Sequence, residues 1–152
     1  MKTQTDMNKV EIAISVHQQM TEKRPTFELP SAGVFAIVDR GEDGYKIVEL
    51  VRHPDIYSAI EQVQDGDFDY DGITVGYALE TTGWAAPLNK DGEVEGAPSQ
   101  HPERRRVRLT AIGLAALGAA SVLEFADEPG ELITDEGQAT GMLAEALARL
   151  AS

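Results

Sequence analysis

Hydrophobic residues alternate with polar ones in several short runs that are separated by turn-forming residues. Two such runs flank the turn sequence Gly41-Glu42-Asp43-Gly44, and this arrangement predicts a β-hairpin. A later pair of runs, joined by a glycine-bounded turn, predicts a second hairpin, and one further strand lies between the hairpins. The predicted strands are residues 34–38, 45–51, 73–79, 104–112 and 119–125.

The strand at 73–79 carries a hydrophobic residue at every second position. Such alternation predicts one buried face and one exposed face, because successive side chains of a strand point to opposite sides. We expect the inward residues of this strand to be Ile73, Val75, Tyr77 and Leu79.

The segment before the first hairpin has hydrophobic residues at helical intervals, but they also alternate as in a strand. Both interpretations therefore stay open at this point. The helical positions are Val10, Ala13, Ile14 and His17, the alternating positions are Val10, Ile12, Ile14 and Val16, and the helix cap would be Thr5 or Asp6.

Two further helices are predicted. Pro54 suits the first position of a helix in which Ile56, Ile60 and Val63 share one face. The last helix is expected at residues 135–151, after a loop at 127–134 that contains a Pro-Gly pair. The capping box of this last helix is Asp135 with Gln138, and its apolar stripe is Ala139, Met142, Leu143, Ala146, Leu147 and Leu150.

These elements predict an α+β protein. We expect an antiparallel β-sheet of about five strands, with two or three helices packed on one face of it. The chain has 152 residues, a length that fits a single domain spanning residues 1–152.

The composition excludes several classes of function. The chain has no cysteine, so disulfides, thiolate metal sites and cysteine nucleophiles are ruled out, and a reducing cytoplasm fits. The N-terminal segment lacks the apolar run of a signal peptide. The least polar stretch, residues 109–125, is too interrupted to span a membrane. We predict a cytoplasmic protein with no membrane association and no cofactor.

Acidic residues outnumber basic ones by 26 to 13, which gives a net charge of −13. Such a field repels nucleic acid, so we do not expect a nucleic-acid partner. It favours solubility or a basic partner.

The stretch from Tyr77 to Leu109 departs from this acidic composition. It holds the only tryptophan and four of the eight arginines, beside a Gly/Pro-rich loop predicted at 81–103. Loops of this length are usually functional or disordered. A loop tryptophan is a frequent binding hot spot, although it equally fits a lid over the edge of the core. The candidate partner-binding residues are Trp84, His101, Arg104, Arg106 and Arg108.

Arg104, Arg106 and Arg108 fall on one face of their predicted strand, at alternate positions about 6.6–7 Å apart. Three interpretations compete. The arginines pair across strands with Glu80 or Glu124, or they recognise an acidic protein patch or a second copy of the chain, or they bind phosphate. Nucleic-acid binding ranks last, because only one aromatic residue is near for stacking and the net charge opposes approach.

His101 is the histidine best placed for chemistry, with Glu103 two residues later and Glu80 at the end of the preceding strand. A general base needs a carboxylate and a substrate within about 3 Å. These residues define the alternative function, a small hydrolase or nucleotide-handling enzyme whose arginines hold a phosphate. The sequence has no nucleophile elbow or phosphate loop, and a histidine that bonds a loop carbonyl is the structural alternative.

The sequence DFDYDG at residues 67–72 matches the first half of a calcium-binding loop. Asp67, Asp69 and Asp71 would supply alternate oxygen ligands. The second half departs from the pattern, because Ala78 stands where a bidentate glutamate is needed. An acidic solvated loop with its aromatic residues packed inward fits better, so we predict no metal site.

The order of these signals resembles an uncharacterised family of small proteins from actinobacteria and their phages. The most specific part is HPERRRVRL at residues 101–109, which has the pattern HPxRRxVRL. A proline-led strand near 27–38, a strand that ends in Glu80, and a closing helix with Leu143 and Leu147 complete the resemblance. It implies a one-domain α+β fold and a bacterial or phage cytoplasmic setting, and it implies no particular chemistry.

The sequence therefore predicts a non-enzymatic protein-interaction or regulatory module, encoded by a bacterium or a phage. Its partner would be a host protein or a second copy of the chain, bound through residues 80–108. The enzyme based on His101 remains the alternative.

Overall fold

A computed structural model describes residues 8–85, 100, 102–115 and 117–135 of the chain. The six described strands form one sheet in the order β2-β1-β3-β4-β5-β6, with every neighbouring pair antiparallel. The predicted α+β class is confirmed, with six strands where about five were expected and with two helices in the described part. The elements are α1 (Lys9–Lys23), β1 (Ala32–Asp39), β2 (Tyr45–His53), α2 (Ile56–Asp65), β3 (Ile73–Ala85), β4 (Arg105–Leu114), β5 (Gly118–Phe125) and β6 (Leu132–Asp135).

The two helices pack against opposite faces of the sheet. Helix α1 belongs to a core cluster that contains Ala78 and Ile112, whereas α2 belongs to one that contains the adjacent residues Leu79 and Ala111. Neighbouring residues of a strand point to opposite faces. The prediction that the helices share one face is therefore wrong. The reason is visible in β1, where Ala32–Val38 is buried throughout and offers no alternation.

Helix α1 begins after Asn8, so Asn8 is its N-cap and not the expected Thr5 or Asp6. The Asn8 side chain accepts a hydrogen bond from the Glu11 backbone N at 2.9 Å, and the Glu11 side chain accepts one from the Asn8 backbone N at 3.5 Å. This reciprocal pair is a capping box. The helical interpretation is the correct one, and the buried residues of α1 are Ile12, Ala13, Val16, His17 and Met20.

Helix α2 is capped by Asp55, whose side chain accepts hydrogen bonds from the Ser58 backbone N at 3.1 Å and from Ser58 Oγ at 2.6 Å. Pro54 therefore precedes the cap and does not occupy the first helical position. The predicted apolar face is confirmed, because Ile60 and Val63 are buried against the sheet.

Strand β3 continues to Ala85, so residues 81–85 pair with β4 and do not form the start of the predicted 81–103 loop. Residues 86–99 and His101 of that loop lie outside the described residues. At the other end of β3, Ile73 is 73% exposed and not inward as expected, because it pairs with the last residue of β1 at the end of the sheet.

Strand β6 occupies the end of the segment predicted as a loop at 127–134. It pairs with β5 at the edge of the sheet. Asp135 is its last residue, and the rest of the helix predicted at 135–151 lies outside the described residues. Neither helix in the described ranges is long and apolar enough to cross a membrane.

Candidate functional site

Glu80 lies in β3 with its side chain fully buried. Two arginines donate to its carboxylate: Arg108 Nη2 bonds Oε2 at 2.5 Å, and Arg52 Nη2 bonds Oε1. Arg24 Nη1 lies 3.7 Å from Oε1. A carboxylate removed from water needs such partners, because an unpaired buried charge is strongly unfavourable. We refer to Glu80, Arg24, Arg52, Arg108 and Glu49 as the Glu80 cluster.

A glycine in β1 makes room for this cluster. Gly33 is the register partner of both Arg52 and Glu80, so it lies between them in the sheet. A Cβ atom at position 33 would lie 2.6 Å from Arg52 Nη2. The absence of a side chain at this position therefore lets the guanidinium cross β1 to reach the carboxylate.

Arg108 is the largest fully buried side chain of the described residues. Its Nη1 donates to the backbone carbonyls of Arg24, at 2.5 Å, and Thr26, at 2.8 Å. Burial lowers the pKa of Arg108, and the carboxylates of Glu80 and Glu124 oppose that effect. The pairing predicted between the arginine row and Glu80 is confirmed for Arg108. Its predicted role in partner binding needs an exposed side chain, which the structure does not provide.

Glu49 forms the outer side of the cluster, where it is partly exposed. Arg52 Nε donates to it at 2.9 Å and Arg24 Nη1 at 3.0 Å. Burial favours the protonated carboxyl, but the hydrogen bonds from these two arginines outweigh it and lower the pKa of Glu49. Both arginines thus bridge a buried and a solvent-facing carboxylate.

A second polar group ties α1 to the sheet. His17 Nδ1 lies 2.8 Å from Thr110 Oγ1 on β4, and His17 Nε2 lies 2.6 Å from Glu124 Oε1 on β5. Burial lowers the pKa of His17, against the opposing effect of Glu124. The neutral ring then donates from Nε2 to Glu124 and accepts at Nδ1 from the threonine hydroxyl.

Glu124 is the ionised member of this group. Burial favours its protonated form, but hydrogen bonds from His17 Nε2 and from the Gly130 backbone N, at 2.9 Å, outweigh it and lower its pKa. These bonds do not require a charged histidine, so a neutral His17 and an ionised Glu124 are compatible. Both ring nitrogens of His17 are occupied, which makes this group a structural anchor.

Trp84 lies near the end of β3 with two arginines against its ring. The guanidinium carbons of Arg104 and Arg106 are 4.7 and 4.2 Å from a ring centroid of the indole. Arg106 is the register partner of Trp84 on β4, and its Nη2 donates to Glu28 at 2.9 Å. We call these four residues, Trp84, Arg104, Arg106 and Glu28, the Trp84 patch.

The next residue of the arginine run faces the other side of the sheet. The guanidinium carbon of Arg105 lies 3.8 Å from the centroid of the Phe125 ring, and its Nη2 donates to Asp127 at 2.6 Å and Glu128 at 3.0 Å. Alternation along β4 therefore divides the basic run. Arg104 and Arg106 belong to the Trp84 patch, and Arg105 belongs to a separate ion-paired surface.

The remaining candidates have less structural support. Asp67, Asp69 and Asp71 are exposed, and the described residues contain no group of three or more His, Asp or Glu side chains placed to hold a metal ion. Between them Phe68 is exposed rather than packed inward. His101 lies outside the described residues. Glu80, its expected carboxylate partner, is bound to arginines.

Sequence reasoning missed Arg24, Arg52 and the role of His17. One signal in the sequence could have indicated the cluster, namely a charged residue within a run of hydrophobic residues. Glu80, which directly follows Leu79, is such a residue. A buried carboxylate implies buried cations, but it does not say which ones.

Comparisons of the chain with protein-family models, with curated proteins and with solved structures gave no match.

Proposed function

We propose that this protein is a non-enzymatic interaction module that binds an acidic segment of a partner protein through the Trp84 patch. The observation that carries the proposal is the contact that the guanidinium groups of both Arg104 and Arg106 make with the Trp84 indole. Tryptophan and arginine are two of the residue types most enriched at binding hot spots.

The stacking supports binding because it orders the arginines before a partner arrives. A guanidinium that lies against an aromatic ring keeps its N–H groups in its own plane, where they suit a carboxylate. Side chains that are already held lose less conformational entropy on association. Arg106 already makes one such contact, with the exposed carboxylate of Glu28.

Charge supports an acidic segment as the ligand. The Trp84 patch combines two arginines with one glutamate, so it is locally basic on a chain of net charge −13. At physiological salt, exposed charges are screened beyond about 8 Å, so an arriving carboxylate interacts mainly with the patch. A second copy of the chain would bring the same large negative charge, which favours a different protein as the partner.

The alternative enzyme has less support from the described residues. Its proposed carboxylate, Glu80, is fully buried and bound by Arg52 and Arg108. The buried histidine, His17, has both ring nitrogens engaged. These groups stabilise the fold and are not presented to a substrate.

Affinity capture with matched variants tests the proposal. The tagged protein is incubated with an actinobacterial lysate, since the sequence resemblance implies that setting, beside Trp84→Ala, Arg106→Ala and Arg105→Ala. Arg105→Ala removes the same charge from the same strand but on the opposite face. We expect one stoichiometric partner that is lost with Trp84→Ala and Arg106→Ala and retained with Arg105→Ala.

The affinity of each variant for the purified partner then measures how much binding free energy the substituted side chain contributes. Loss of a hot-spot side chain typically costs about 2 kcal/mol or more, so each patch variant should bind about 30-fold or more weakly. Circular dichroism and thermal unfolding verify that each variant is folded. Equal loss with Arg105→Ala, or retention with both patch variants, would show that the Trp84 patch is not the binding surface.

A further inference from the structure

A small cavity lies between the end of α1, the segment that follows it, and strands β4 and β5. Its volume is about 130 Å³. A cavity of about 150 Å³ can hold a benzene-sized molecule, so this one has room for a single aliphatic side chain such as that of leucine. The lining residues are Thr21, Pro25, Thr26, Phe27, Arg108 and Glu124.

The wall of this cavity that a ligand can reach is mainly apolar. Its two charged residues, Arg108 and Glu124, are buried and bonded within the chain, so they form its closed side. On the open side Pro25 is exposed and Phe27 is half-buried. An aliphatic side chain that enters from this side removes apolar surface from water, both its own and that of the wall, which favours binding.

The cavity adjoins the Trp84 patch through two pairs of neighbouring residues. Phe27 lines the cavity, and the next residue, Glu28, belongs to the patch, where it accepts from Arg106. Arg108 also lines the cavity, and Arg106 is the next residue on the same face of β4. Alternate positions of a strand are about 6.6–7 Å apart. The apolar cavity and the basic patch are therefore parts of one surface, separated by about this interval.

We infer that the acidic partner segment is extended and carries an aliphatic residue two positions from its carboxylate. The aliphatic side chain fills the cavity, and the carboxylate binds the arginines of the Trp84 patch. This inference rests on the proposed function. An extended segment repeats its same-side residues at the same interval as β4, so one segment reaches both places. The charge of the patch alone accepts any acidic segment, whereas the cavity selects among such segments.

Four synthetic peptides with blocked ends test the inference on the full-length protein. Leu-Ser-Asp-Ser-Leu places a leucine two positions from the aspartate in both chain directions. Ser-Leu-Asp-Leu-Ser has the same composition with the wrong spacing, Ala-Ser-Asp-Ser-Ala lacks the leucines, and Leu-Ser-Asn-Ser-Leu lacks the charge. Trp84 is the only tryptophan, so its fluorescence measures binding at the patch. Nuclear magnetic resonance shifts of the Thr21 and Thr26 amides measure binding at the cavity.

We expect Leu-Ser-Asp-Ser-Leu to bind about tenfold or more tightly than each of the other three peptides, because it alone combines a buried leucine with a paired carboxylate. Equal binding of the three acidic peptides, lost in Arg106→Ala, would overturn the inference and leave the proposed function standing. Binding that needs neither the aspartate nor Arg106 would contradict both. Absence of a saturable response to all four peptides would also reject both.

Two variants of one residue locate the leucine. Thr21→Leu extends an apolar side chain into the cavity without changing any charge, whereas Thr21→Val keeps the size of the threonine. The tenfold advantage of Leu-Ser-Asp-Ser-Leu over Ala-Ser-Asp-Ser-Ala should disappear in Thr21→Leu and persist in Thr21→Val. Ala-Ser-Asp-Ser-Ala should bind both variants equally, since the patch is unchanged, and unfolding curves verify that both fold. An advantage retained in Thr21→Leu would place the leucine elsewhere and overturn the inference.

Discussion

At the scale of single residues, Glu80 has the most consequential environment. Its carboxylate is buried between Arg52 and Arg108, and Gly33 provides the space through which Arg52 reaches it. Buried ion pairs are stable only when their remaining polar atoms are also bonded. Removal of one member is therefore more damaging than the strength of any single contact suggests.

We predict that Glu80→Gln lowers the free energy of unfolding by about 3–5 kcal/mol, because it removes the carboxylate that is directly paired with the buried Arg108 guanidinium. Glu49→Gln is the matched control. Glu49 binds the same Arg24 and Arg52 but is partly exposed, so its loss should cost less than about 1 kcal/mol. Urea unfolding of both variants measures the difference. Equal losses of stability in the two variants would mean that the burial of Glu80 does not increase the cost of its removal.

At the scale of elements, a histidine connects three pieces of secondary structure. His17 on α1 bonds Thr110 on β4 and Glu124 on β5. The folded state lowers the pKa of both His17 and Glu124, by burial for the histidine and by hydrogen bonds that outweigh burial for the glutamate. The unfolded chain therefore takes up protons at both residues more readily than the folded chain does.

From this we predict that stability falls as the pH is lowered. The loss due to His17 begins near its ordinary pKa of 6.5, and the loss due to Glu124 begins near 4.5. His17→Gln keeps a donor and an acceptor but does not titrate, so the decline between about pH 6.5 and 5 should be weaker in this variant. Urea unfolding at a series of pH values measures it. His53→Gln is the control, and an unchanged decline in His17→Gln would contradict the assignment.

The elements also show what the sequence could and could not predict. Both hairpins were predictable because their strands are consecutive and their turns contain glycine at positive φ, as at Gly44 and Gly118. The edge strand β6 was not, because four residues beside a Pro-Gly pair carry too little alternation. The buried face of α1 was only partly predicted, since Val10 and Ile14 are half-buried at its border.

The candidate site was harder to predict for a physical reason. Alternation correctly placed Arg106 and Arg108 on one face of β4, yet one is partly exposed and the other fully buried. The difference depends on the segment after α1, whose carbonyls of Arg24 and Thr26 cover Arg108. That contact joins residues more than 80 positions apart, and nothing local in either segment encodes it.

At the scale of the whole molecule, the architecture stabilises the folded state and the net charge destabilises it. Helices cover both faces of the sheet, which buries two hydrophobic clusters. The surface must then carry the excess of 26 acidic over 13 basic residues. Repulsion among these charges opposes the compact state.

Salt should therefore stabilise this protein. Raising NaCl from about 0.01 M to about 1 M shortens the Debye length from about 30 Å to about 3 Å and screens the repulsion. We expect the thermal unfolding midpoint to rise by several degrees over this range. Sucrose of matched osmolality controls for non-ionic effects. A falling midpoint would show that exposed ion pairs, such as Arg105 with Asp127, outweigh the net charge.

The anchoring of α1 also has a consequence for the order in which the chain is made. His17 leaves the ribosome before its partners Thr110 and Glu124, which follow 93 and 107 residues later. The polar anchor of α1 can therefore form only when most of the sheet has been synthesised. Until then the hydrophobic face of α1 has only the earlier strands to pack on and lacks Ile112, Ala120 and Val122, which makes this stretch a natural point of contact for chaperones during translation.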